Sequence, residues 1–205
     1  MEALIVVGLS TLITVGVVIG LLEGMGALSK ITTDYDIEYG HQRAMSSFMR
    51  DVQAAQWFYN GEVHNEMGSL VLNETASPYD LVLGYPGPDG DEIWIRYRSR
   101  AGALPTRLGF VRNYLIRTVI STSGLEEGAT LLAVGVTDLQ FNYENVNRTF
   151  TDRIPDIYSV GMTLSLDING TLVRREYVAV MRNPNLGPKL PPGDFNEIES
   201  ENLFK

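Results

Sequence analysis

Few side chains in this 205-residue chain have types and settings suited to chemistry, and the most unusual is a carboxylate, Glu2. It heads an uncharged run, ALIVVGLSTLITVGVVIGLL, from Ala3 to Leu22, which closes at Glu23. An acid at the edge of a low-dielectric helix is costly unless a cation faces it, so the chemistry expected of Glu2 is ion pairing. The competing reading is a helix-start acid favoured by the macrodipole. Asp89, Asp91 and Glu92 supply clustered oxygens of the kind a calcium ion takes, but their spacing is not that of an EF-hand loop. They are weak metal candidates, and an acidic turn explains them as well. His41 and His64 are the only histidines; neither sits in a metal-binding pattern, and both read as surface residues.

Other reactive groups are missing. The chain has no cysteine, which excludes disulfides, thiolate zinc sites and a cysteine nucleophile. It contains neither a Gly-x-Ser-x-Gly elbow nor a phosphate-binding loop, so no catalytic constellation or cofactor is expected. With 16 basic against 25 acidic residues, a net charge of -9 and a pI near 4.7, no cationic footprint for nucleic acid is expected. Three sequons, at Asn73, Asn147 and Asn169, are only slightly more than chance would place in such a composition. The third also reads as a hairpin turn.

The elements that hold these residues follow from periodicity. The apolar run has the length of one bilayer-spanning helix, about 20 residues. A cleaved signal peptide fits less well, because an acid precedes the run and no small-residue cleavage site follows it. Gly16, Gly20 and Gly24 recur at four-residue steps and predict a bare stripe where another helix can approach. From Ile31 to Asn60 the pattern is amphipathic: Met45, Phe48, Met49, Val52, Ala55 and Tyr59 share a face, with Arg50, Asp51 and Gln53 turned elsewhere. Asn60-Gly61 is the expected stop. No proline interrupts residues 1–60, which predicts one nearly continuous helix with Gly24 and Gly26 as its weak points.

Past residue 68 the period becomes two. Strands are predicted at Leu81 to Tyr85, around Ile93, Ile95 and Tyr97, at Tyr114 to Ser121, and around Leu139, Phe141 and Tyr143. The clearest alternation runs from Val160 to Ile168, turns at Asn169-Gly170 and returns from Leu172 to Met181. The fold expected is α+β, a long N-terminal helix whose amphipathic half covers the apolar face of an antiparallel sheet. Trp57, Phe58 and Tyr59 are expected to close that core. The domains expected are 1–28 for the apolar helix, 29–183 for the globular part and 184–205 for a Pro-rich acidic tail.

Met1 to Gly8 resembles the N-terminal motif of the type IV pilin superfamily, in which a Glu precedes an apolar helix. In the family that Glu is the fifth residue of the mature chain. The resemblance therefore implies that this sequence begins inside the motif, without the leader and about three mature residues. Ala44-Met45 through Phe48-Met49-Arg50-Asp51-Val52, then Ile95-Arg96-Tyr97, Leu115-Ile116-Arg117, Val136 to Tyr143 and Val180 to Asn183 resemble, in order, stretches of W-type minor pilins and of type II secretion pseudopilin J. What the resemblance implies is a structural subunit, not an enzyme. Its Glu2 would neutralise the N-terminal amine of a neighbouring subunit. Its partners would be other pilin or pseudopilin subunits, the inner membrane and an assembly platform, with the globular part outside the cytoplasm. A major pilin, or a membrane-anchored surface binding module, are the alternatives.

Overall fold

The computed structural model of the chain describes residues 2–64, 67–106, 109–120, 126–182 and 188–189, the side chains of 2–11, 63–64, 101–106, 109–112 and 126–127 excepted. The tail from 190 and the motif His64-Asn65-Glu66 beyond the His64 backbone lie outside the described residues. A single helix, α1, runs from Glu2 to Ala54. At ~1.5 Å per residue it is about 80 Å long. Gly24 and Gly26 do not interrupt it. Where its apolar half gives way to its amphipathic half, Thr32 and Thr33 donate their hydroxyls to the carbonyls of Leu28 and Ser29, four residues back, at 2.9 and 3.0 Å. Both hydroxyls thus find partners without leaving the helix.

α1 stops six residues earlier than the periodicity predicts. Ala55 N–H still donates to the carbonyls of Asp51 and Val52, but Gln56 N–H donates to Gly84 O at 2.8 Å instead of continuing the spiral. Trp57, Phe58 and Tyr59, three good strand formers, then join a sheet as β1 (Trp57–Tyr59). Strand pairing, not Asn60-Gly61, ends the helix.

Nine more strands follow among the described residues: β2 (Glu62–His64), β3 (Leu70–Leu72), β4 (Asp80–Pro86), β5 (Glu92–Thr106), β6 (Gly109–Ile120), β7 (Glu126–Val134), β8 (Val136–Glu144), β9 (Ser159–Ile168) and β10 (Thr171–Val180). The expectation of one sheet is corrected. The strands form an antiparallel five-stranded sheet, β1-β4-β5-β6-β7, a three-stranded sheet, β10-β9-β8, and the small β2-β3 hairpin. The chain crosses from the first sheet to the second at Gly135, whose φ is +71° and whose missing Cβ would sit 2.4 Å from Asp167 O. No other residue fits there. The Asn169-Gly170 turn is as predicted, with φ of 54° and 81°, and it sets Thr171 opposite Ile168.

The helix lies across both sheets. Thr33, Ile37, Ala44, Phe48, Val52 and Ala55 are buried along one stripe. Gly40 is the point of closest approach: a Cβ there would stand 3.3 Å from both Ala133 of β7 and Leu166 of β9. Phe48 packs edge-on to Tyr97 of β5 and stacks near Phe141 of β8, with ring centroids 6.3 and 6.4 Å away. The far side of the five-stranded sheet carries a second apolar cluster of Tyr59, Val82, Trp94 and Ile120, flanked by Trp57 and Leu72. Alternation alone placed Trp94 opposite the apolar face.

His41 is a further correction, since it is buried and not a surface residue. It is four residues from Ile37 and three from Ala44, on the face turned to β10, where Tyr177 Oη lies 2.7 Å from its Nδ1. Glu38 and Arg175 form an exposed pair beside it. Burial, aided by Arg175, pulls the imidazole below its ordinary range against the opposing pull of the Val173 backbone and Glu38. The fold therefore prefers neutral His41, and the unfolded chain binds its proton more readily. This contribution to stability is complete above the unfolded value of about 6.5 and is lost as pH falls below it. Denaturation midpoints should drop between about pH 7 and 5, and His41→Gln should flatten that part of the profile.

Candidate functional site

The apolar half of α1 stands clear of the body. Leu12, Leu21, Leu22 and Met25 are 74, 63, 64 and 67% exposed. An 18-residue stretch has a mean hydropathy of 1.9 with none of it buried, long and apolar enough to cross a membrane. Fully covering one Leu or Ile side chain is worth about 1.5–3 kcal/mol. Eight or so such side chains left in water would thus forgo ~15 kcal/mol, as much as the whole stability of an ordinary domain. A lipid or protein cover is the physical requirement.

The predicted packing stripe is open: a Cβ at Gly16, Gly20 or Gly24 would meet nothing within 4 Å. The backbone of Glu2 is helical, and its side chain lies outside the described residues. Asp89 and Asp91 are exposed on the β4–β5 turn, while Glu92 is paired with the Lys189 ammonium. No group of three side chains able to hold a metal gathers among the described residues.

A charged site that the periodicity did not expose holds the helix to the body. Asp51 is only 2% exposed, whereas its position in the sequence had suggested a residue turned elsewhere. It falls seven residues from Ala44 and four from Ala55, on the buried stripe, and that spacing was the available signal. Tyr97 Oη donates to Asp51 Oδ2 at 2.6 Å, and Arg117 donates through Nε to Oδ2 and through a terminal nitrogen to Oδ1 at 3.2 Å. Exposed Arg50 adds a contact at 3.1 Å from Nε to Oδ1. Burial first, then the Asp51 charge, push the Tyr97 phenol far above its usual range, so it remains a donor. Burial works against the Arg117 charge, but the hydrogen bond and charge contact with Asp51 outweigh it. The arrangement ties α1 to β5 and β6 through one carboxylate.

Three of the stretches that carry the resemblance meet here, because Asp51, Tyr97 and Arg117 come from Phe48-to-Val52, Ile95-to-Tyr97 and Leu115-to-Arg117. Neither a protein-family model nor a curated protein sequence matches the chain.

Two outcomes follow from this division of the helix. A chain starting near Ser29 keeps the docked half and both sheets, and should be soluble, monomeric and cooperatively folded. An insoluble or molten product would place the boundary elsewhere. In that shortened chain Asp51→Ala leaves Arg117, a cation whose side chain is only 12% exposed, without its carboxylate, and should cost ~3–5 kcal/mol in chemical denaturation.

Proposed function

We propose that the chain is a structural subunit, a minor pilin or pseudopilin, of a filament of the type IV pilus or type II secretion kind. Its apolar helix is stored in the inner membrane and then packs among the helices of other subunits. Its globular domain lies outside the cytoplasm and performs no catalysis.

One observation carries this reading. A single unbroken helix is bare on every described face of its apolar half, its glycine stripe included, while its other half is locked to the body through Asp51. A rigid handle of this kind suits transfer from lipid to a bundle of like helices, because both environments are apolar and the body rides along unchanged. Glu2, at the head of the handle, supplies a charge that a neighbouring amine would neutralise. A minor rank is supported by the acidic balance, which would make tiling by many copies self-repelling.

The test is Glu2→Ala in cells, at matched expression. Membrane retention should equal that of the natural chain, and recovery in sheared filaments should fall severalfold. Equal recovery would overturn the pairing role of Glu2. Retention in the membrane with no wild-type copies in any filament would favour a lone anchor bearing a binding domain.

A further inference from the structure

The structure separates the three sequons, which composition could not rank. Asn169 is occupied: it sits in the left-handed region at φ 54° to make the β9–β10 turn, and its Nδ2 donates to Thr33 Oγ1 of α1 at 3.3 Å. Asn73 is half-buried, and its Oδ1 accepts the Thr75 N–H at 2.9 Å. The backbone around it is stitched on both sides, with Ile154 N–H donating to Glu74 O at 2.7 Å, Ala76 N–H to Asp152 O at 2.6 Å, and Asn60 Nδ2 to Thr75 O. Asn169, though exposed, is tied to α1 through its own amide, and Asn73 is half-buried in a backbone held on both sides.

Of the three, Asn147 alone combines an exposed position with a side chain that makes no hydrogen bond among the described residues. It is exposed at the tip of the loop joining β8 to the short 3₁₀ turn Ile154–Asp156, and Thr149 is exposed beside it. Asn145 holds the loop, its Oδ1 accepting the backbone N–H groups of Asn147 at 2.9 Å and Thr149 at 3.2 Å. That leaves the Asn147 side-chain amide with no hydrogen bond among the described residues. The sequon is also flanked by two apolar side chains that nothing covers, Val146 at 70% and Phe150 at 73% exposed. A sugar ring fixed at Asn147 would lay its apolar face on them and remove that surface from water.

We propose that Asn147 carries an N-linked glycan. The donor is an oligosaccharide linked through diphosphate to a lipid. The Asn147 Nδ2 bonds to the anomeric carbon, the bond from that carbon to the diphosphate oxygen breaks with its electron pair on that oxygen, and the one proton lost from Nδ2 passes to the departing lipid diphosphate. No electrons are exchanged with an oxidant or reductant. The inference rests on the proposed placement of the body outside the cytoplasm, where such donors are used.

The test is mass spectrometry of the full chain purified from its own cells, combined with protease access to the body in intact cells stripped of their wall. The tryptic peptide from Thr118 to Arg148 should carry the mass of a glycan. Asn147→Gln and Thr149→Ala should each abolish it, whereas Asn73→Gln should leave it in place. Circular dichroism of the variants should match the natural chain, since both side chains point into solvent. A bare Asn147 in a body open to the protease would overturn the glycan alone. A bare Asn147 in a protected body would overturn both the glycan and the external placement. A glycan mass that persists in Asn147→Gln would also overturn the assignment.

Discussion

A carboxylate removed from water must be met by charge and hydrogen bonds, and the burial of Asp51 under α1 meets that demand with Tyr97 and Arg117 from two neighbouring strands. The satisfied cluster sets more than the attachment of the helix. It sets the rotation of the helix about its own axis, because only one azimuth brings Asp51 over both partners. That azimuth turns Ile37, Ala44 and Phe48 to the sheets. With ~100° of rotation per residue and no break in the helix, the same contact orients the glycine stripe more than 25 residues away. Gly16, Gly20 and Gly24 then lie roughly 100–180° around the axis from Asp51, on the side turned away from the body.

The two-sheet body exists to flank that helix. A single sheet would cover one side of a buried stripe as wide as that from Thr33 to Ala55, whereas β7 and β9 reach it from different directions and meet at Gly40. The corner at Gly135 lets one chain build both walls. The outer face of the larger sheet then needs its own cover. It gets one from Trp57 and Tyr59 of β1, while Phe58 between them closes the main core, and from Lys189, whose ammonium lies 4.1 Å from the Trp57 ring centroid while pairing with Glu92. Trp94 fits there because its partner in register, Gly84, has no side chain; a Cβ would stand 2.9 Å from the indole.

The two halves of α1 meet opposite fates for the same physical reason. Apolar surface is buried wherever a partner exists, and within one chain the sheets reach only as far as Thr33. Everything nearer the N-terminus must find its cover in lipid or in other chains.

The apolar length of the first helix, the absence of helix breakers and the Asn169-Gly170 hairpin were legible in the residues themselves, since each depends on local spacing and backbone preference alone. So was the alternation around Leu139, Phe141 and Tyr143 and from Val160 to Ile168, because a half-buried strand writes its period into its own sequence. The early end of the helix was not legible: Trp57 to Tyr59 continue the helical spacing, and only capture of Gln56 by Gly84 draws them into a sheet. Nor were the burial of Asp51 and His41, since a charged or titratable side chain is read as exposed until its partner is known, and those partners lie 46 and 136 residues away. The two-sheet division turns at Gly135, whose close approach to Asp167 and Ile168, more than 30 residues further on, no local spacing reveals. Local interactions thus determined which segments are helix and strand, and long-range contacts alone decided how the helix is rotated, where it ends and which of its charged groups are buried.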